Sequence, residues 1–178
     1  MQSRGTVTMT GAAVAILLVT DVLYIVLITG QQASDNTLTV PFVAGYMLLM
    51  AILLALSLRP HPRLVALRTV LRAGPAGGLL LLGTLAAFSI GLPILIAAAL
   101  AFVVAGRSLP RARWKASAAI ALVAAIGAAT ILVGGIDLSQ RLIICPAHGT
   151  SGGGGSGLVS GPYHYECVNG VLTYHSRS

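Results

Sequence analysis

Apolar residues run through this chain in long stretches, separated by short polar or basic segments. The first stretch, Val7 to Thr29, contains one acid, Asp21. At helical rise it covers about 35 Å, enough for a hydrocarbon core about 30 Å thick. It is too long for the apolar region of a secretory signal, and no small-x-small cleavage site follows Thr29. A retained helix is expected. Gly30 to Thr39 is polar and has no Lys or Arg, as in a loop facing away from the cytoplasm. A second apolar run extends from Pro41, suited to a first helical turn, to Leu58. Tyr46 lies near its entry, where aromatic belts sit.

Arg59 to Arg72 is basic, with Arg59, Arg63, Arg68 and Arg72 set among Leu and Val. It reads either as a short interfacial helix presenting Arg to anionic headgroups or as a cytoplasmic loop. Ala73 to Gly106 follows without a charge and is interrupted by Phe88-Ser89-Ile90-Gly91-Leu92-Pro93. As one helix, residues 77–105 would extend roughly 43 Å; as two, each arm would be roughly 24 Å. Gly91, free to take φ > 0, and Pro93, pre-set for a helix start, favour a reversal. Ala116 to Gly135 is the last apolar run.

Alanines at fourfold spacing (Ala97, Ala101, Ala105 and Ala121, Ala125, Ala129) mark faces where helices can approach closely. The same faces can serve the bundle or a dimer.

Composition sharpens the class. The chain is 56% hydrophobic and 8% charged, with mean hydropathy +0.91, whereas a soluble domain carries about 25% charged residues. This excludes a soluble surface. The net charge of +7 does not indicate nucleic acid, because the cations cluster beside apolar spans. With five spans and a cytoplasmic N-terminus, Arg4, Arg59, Arg63, Arg68, Arg72, Arg107, Arg111, Arg113 and Lys115 lie inside. Only Arg141 and Arg177 lie outside. Four spans would split the same cations less favourably.

The expected fold is therefore an all-α integral membrane bundle, residues 1–135, of four to five transmembrane helices. The spans fall at about 7–29, 41–58, 76–90, 92–106 and 116–135, the third and fourth forming a helical hairpin. The expected location is a bacterial cell membrane, on the ground of the Ala-, Gly- and Arg-rich composition.

Residues 136–178 form an extracytoplasmic tail. Gly149 to Gly157 (GTSGGGGSG) has the composition of a flexible linker. Asn169-Gly170 between β-rich runs predicts a two-residue hairpin over residues 163–175. Counting outward pairs Val168 with Val171, Cys167 with Leu172, Glu166 with Thr173, Tyr165 with Tyr174 and His164 with His175. The chain's two cysteines, Cys145 and Cys167, are both in the tail and are expected to form a disulfide in an oxidising compartment.

Candidate chemistry is sparse. Asp21 sits mid-span with no Lys or Arg in any span to pair with it. A charge there is costly, so it is expected to be protonated or to line a wet cavity, with Thr20 and Tyr24 nearby. It can relay protons, bind a cation or act as hydrogen-bonded packing glue. His164, Glu166 and His175 share one hairpin face and can offer ligands to Zn or Cu, with His148 as a fourth; solvent-facing polar residues are the commoner use of such positions. The His pair can also sense pH. No phosphate loop or nucleophile elbow is present. No catalytic residue and no cofactor beyond that metal is expected. The function expected is a non-enzymatic accessory subunit, its partners being the bilayer and other membrane subunits or further copies of itself. The alternative is a small transporter or channel subunit using Asp21.

Overall fold

A computed structural model of the protein describes residues 4–30, 38–59, 62–87, 90–107, 114–159 and 161–176. Within them are five helices: α1 (Arg4–Gly30), α2 (Thr39–Leu56), α3 (Pro62–Leu85), α4 (Gly91–Arg107) and α5 (Trp114–Arg141). Three strands follow: β1 (Thr150–Gly157), β2 (Gly161–Val168) and β3 (Val171–Ser176), forming an antiparallel sheet in the order β1-β2-β3. The protein is thus mostly helical with a small C-terminal sheet. α1, α2 and α5 are long and apolar enough to cross a membrane.

Successive helices alternate in direction. The Arg107 guanidinium reaches Met9, so the end of α4 lies beside the start of α1. Ser139 donates to Thr39, joining the end of α5 to the start of α2. α3 packs on α2, α4 and α5, while α1 packs on α2 and α4. The core is a continuous set of Leu, Met and Ala side chains that includes Leu17, Met47, Leu54, Leu79, Ile94 and Leu132. Outward-facing positions are also aliphatic: Val22, Val26, Phe102, Val123 and Ile131 are all exposed.

The long uncharged stretch does reverse. α3 ends at Leu85 and α4 begins at Gly91, with the Gly91 N–H bonded to the Ala86 carbonyl at 2.8 Å. The reason for glycine differs from the one expected. Gly91 is not among the positive-φ residues; instead a Cβ there would overlap the carbonyls of Gly83 and Ala86. Pro93 falls in the first turn of α4. Ser89 lies outside the described residues. Each arm is short. α4 has 17 residues, about 25 Å at helical rise, and α3 is free of charge only beyond Arg72.

Three expectations about this region are corrected. Of the residues between Arg59 and Arg72, those from Pro62 onward form neither a separate interfacial helix nor a loop; they are the first half of α3, which runs unbroken to Leu85. Pro75, inside this helix, is fully buried; it lacks only the N–H that would bond the Leu71 carbonyl, a loss that packing on neighbouring helices offsets. α5 does not stop at Gly135 but continues to Arg141, where Asp137 and Arg141 form an i,i+4 pair at 3.4 Å. Tyr46, placed by the sequence in an aromatic belt, is only 4% exposed. Its hydroxyl donates to the Ala128 carbonyl at 2.9 Å.

Small residues make that last contact possible. A Cβ at Gly78 would overlap the Tyr46 hydroxyl, and one at Gly77 would overlap the Ala125 side chain. Phe42 occupies the equivalent space over Gly135. Of the alanine stripes, Ala97 and Ala101 are buried inside the bundle, while Ala121, Ala125 and Ala129 are half-buried. Close approach of this kind is how helices gain packing where solvent offers no hydrophobic drive.

The Tyr46 junction predicts a thermodynamic coupling. Tyr46→Phe should cost about 1 kcal/mol through loss of a buried hydrogen bond. Gly78→Ala should be far worse in the wild type than in the Tyr46→Phe background, where the overlapping oxygen is gone. Reversible unfolding in mixed micelles, followed by circular dichroism, measures all four proteins. Additive losses would show that Tyr46 and Gly78 do not share one space.

Candidate functional site

Three places can carry chemistry: Asp21 in α1, the tail sheet, and the end of the bundle where the basic residues gather. Asp21 is 8% exposed, on the α1 face that also buries Ala13, Leu17 and Thr20. Its Oδ1 is buried with no hydrogen-bond partner. The Thr20 hydroxyl does not serve it, because it donates to the Ile16 carbonyl of its own helix at 2.8 Å. Tyr24 stands one turn away on the same face, half-buried against the core. Of the two expected neighbours, then, Tyr24 shares the site and Thr20 is committed elsewhere. A carboxyl so placed can hold or pass a proton, or accept a bond from an incoming donor.

The tail is built on β2. Its strand alternates strictly, with Tyr163, Tyr165 and Cys167 buried and His164, Glu166 and Val168 exposed. The β2–β3 register pairs His164 with His175, Tyr165 with Tyr174, and Cys167 with Leu172, as counted from the turn. Asn169 and Gly170 both have positive φ, 50° and 83°, the requirement of a type I′ turn. The turn is held from the side. The Asn169 N–H donates to the Gly149 carbonyl at 2.9 Å, and the Gly149 N–H donates to Asn169 Oδ1 at 3.1 Å. Cys145 and Cys167 are disulfide-bonded, with Cα atoms 5.5 Å apart. Ile143 and Cys145 cover the inner face.

The glycine run is not a flexible linker. Residues 150–157 form β1 and pair with β2 along their whole length, Gly153 opposite Tyr165 and Gly155 opposite Tyr163. A Cβ at Gly153 would stand 2.9 Å from the Tyr165 hydroxyl, and one at Gly155 2.8 Å from that of Tyr163. The tyrosine side chains occupy the space over these glycines, which compensates for a strand with few side chains to pack. Composition alone points to a linker because this cross-strand cover comes from residues eight and twelve positions away.

His164 and His175 face each other on the exposed side and, with Pro162 and Tyr163, line an open pocket. Among the described residues no group of three or more His, Cys, Asp or Glu is placed to hold an ion. Ala147, the neighbour of His148, lies against Gly170 at the turn end of the hairpin.

The basic end was legible as charge but not as structure. Arg4 starts α1, Arg59 follows α2, Arg68 and Arg72 lie in the first half of α3, Arg107 ends α4 and Lys115 is in the first turn of α5, all toward one side of the bundle. Arg72 is 3% exposed and its Nε donates to the Ser57 hydroxyl at 3.4 Å, which itself donates to the Leu54 carbonyl at 2.7 Å. Burial, and then the nearby Arg68, lower the Arg72 guanidinium below its ordinary value. The sequence signal for this contact was Ser57, a hydroxyl closing an otherwise apolar run. Arg68 donates to the Arg59 carbonyl at 3.3 Å.

If the tyrosines cover β1, then Gly153→Val and Gly155→Val should displace the rings and release the strand. Amide exchange across residues 150–157 and the near-ultraviolet tyrosine signal measure this; unchanged protection would mean that the rings do not need the space. Cys145→Ser should weaken the tail by roughly 3 kcal/mol through the loop that the disulfide closes, while leaving the helical signal intact.

No protein-family model matches the chain, and neither curated proteins nor solved structures show a match to it.

Proposed function

We propose that the protein is an accessory subunit of a bacterial membrane complex, embedded in the cell membrane and acting by contact rather than by catalysis. The observation that carries this reading is the surface. Large aliphatic side chains point outward from α1, α2, α4 and α5, with Val123 71% exposed, while the described cations of the helices other than Arg141 lie at one end. A lipid environment accounts for the first feature and the positive-inside rule for the second. The basic end faces the cytoplasm. The N-terminus is therefore inside, and the sheet with its disulfide is outside, in an oxidising compartment. The bundle core is almost wholly apolar, so it offers packing surface rather than a polar path. α3 and α4, with their short apolar arms, form the part of the bundle that benefits most from a partner.

A second reading rests on one specific atom, the unpartnered Oδ1 of Asp21. In that reading the protein is a small transporter or channel subunit, and Asp21 carries the proton or receives the cation.

Two measurements separate these readings. Chemical cross-linking in native membranes, followed by gel separation in mild detergent, should place the chain in a larger assembly. The purified protein in liposomes should pass no protons or cations. A monomer whose flux is abolished by Asp21→Asn would reverse the order of the two readings. Sidedness is tested on intact cells with a membrane-impermeant thiol reagent. Cys145 and Cys167 should label only after reduction by an impermeant reductant; labelling that requires permeabilisation would place the tail inside.

A further inference from the structure

The basic end of the bundle contains an apolar cleft of about 270 Å³ between α3, α4 and α5. Ala73 and Gly77 line it from α3, Phe102 and Ala105 from α4, and Ala121 and Leu122 from α5. Ala and Gly side chains meet there and are too short to fill it. Water inside such a wall would find few hydrogen-bond partners, so hydrocarbon is the better occupant.

Its mouth has the opposite character. Arg107 follows the lining residue Gly106, Lys115 stands one turn before the lining residue Ala118, and Arg68 precedes the lining residue Thr69. Arg107 donates to the Met9 sulfur at 3.5 Å, a weak and neutral acceptor. Lys115 is exposed. The acids among the described residues lie elsewhere: Asp21 within α1, Asp137 near the far end of α5 and Glu166 in β2. Among the described residues the one ion pair, Asp137 with Arg141, is also at the far end. Among the described residues, the cations at the mouth therefore have no acid to offset them.

An occupant that satisfies both parts has hydrocarbon at one end and negative charge at the other. We propose that the cleft binds one acyl chain of an anionic phospholipid, with the lipid phosphate held by Arg107 and Lys115. This rests on the bilayer reading above. A second copy of the chain fits less well, because a parallel copy brings cations against cations. A free soluble anion leaves the apolar wall uncovered.

The test uses the full chain in mild detergent, titrated with phosphatidylglycerol or phosphatidylcholine of matched acyl chains and read by native mass spectrometry. Phosphatidylglycerol should be retained severalfold over phosphatidylcholine. Arg107→Gln with Lys115→Gln, both at exposed positions, should reduce that preference to near parity, and Ala121→Phe, which fills the cleft, should lower retention of both lipids. Equal retention by the unaltered protein overturns the proposal. So does retention that survives Ala121→Phe, or displacement of the lipid by inorganic phosphate. A disulfide between two Ala121→Cys chains in the bilayer would assign the cleft to a second copy and overturn it too. Alkaline carbonate separates the two layers of the argument. A chain released from membranes by carbonate defeats the bilayer reading itself, whereas a carbonate-resistant chain without lipid preference defeats only the lipid site.

Discussion

The bundle depends on how closely α3 can approach its neighbours. At Gly77 and Gly78 there is no side chain to hold α5 and α2 away, and the Tyr46 hydroxyl enters that space to reach the Ala128 carbonyl. Three helices meet at this point. The hydrogen bond is modest in isolation, but its geometry is possible only if α2, α3 and α5 are all in register. Ala125 against Gly77, Phe42 over Gly135 and Ser139 beside Thr39 then follow along the same seam. In an apolar environment this kind of contact matters more than hydrophobic burial, because helix surface and surroundings are chemically alike.

Charge is arranged with the same economy of residues. The described cations of helices other than Arg141 collect at one end, and the described acids are elsewhere. One of those cations, Arg72, turns inward to Ser57 rather than outward. The burial of Arg72 couples the end of α2 to the first half of α3, so the basic segment is a structural part of the bundle as well as its electrostatic end. Asp21 is the counterpart within the apolar interior, a carboxyl oxygen without a donor among the described residues. A contact subunit can use such an oxygen to receive a donor from a partner helix, and a transporter subunit can use it to carry a proton. The same atom therefore sits at the point where the two functional readings diverge.

The tail reaches order without a large core. A buried face of Tyr163, Tyr165 and Cys167, one disulfide, and a type I′ turn clasped by Gly149 hold three strands together. The poly-glycine strand is stable there because its missing side chains are replaced by tyrosines from across the sheet. β2 pairs the backbone groups along one edge of this strand, and its entropy cost is offset by cover that the next strand provides.

Much of this was legible in the residues themselves. The apolar runs located the helices, the Ser89–Pro93 segment located the reversal, and Asn169-Gly170 determined the pairing of β2 with β3 residue by residue. The cysteine count determined the disulfide. These features are short-range: they follow from periodicity, turn chemistry and the absence of any other partner. Tertiary structure alone decided that Tyr46 faces inward, that the basic segment continues into α3, that Gly91 is needed for space rather than for φ, and that the glycine run is a strand. Each of these turns on which distant residue fills the space beside a small one, and local sequence pattern carries no record of that neighbour. The long central stretch, Ala73 to Gly106, combines both kinds of information. Its lack of charge and its Gly/Pro break were written locally, whereas the closeness of its two arms was decided by Gly83 and Gly91 meeting across the turn.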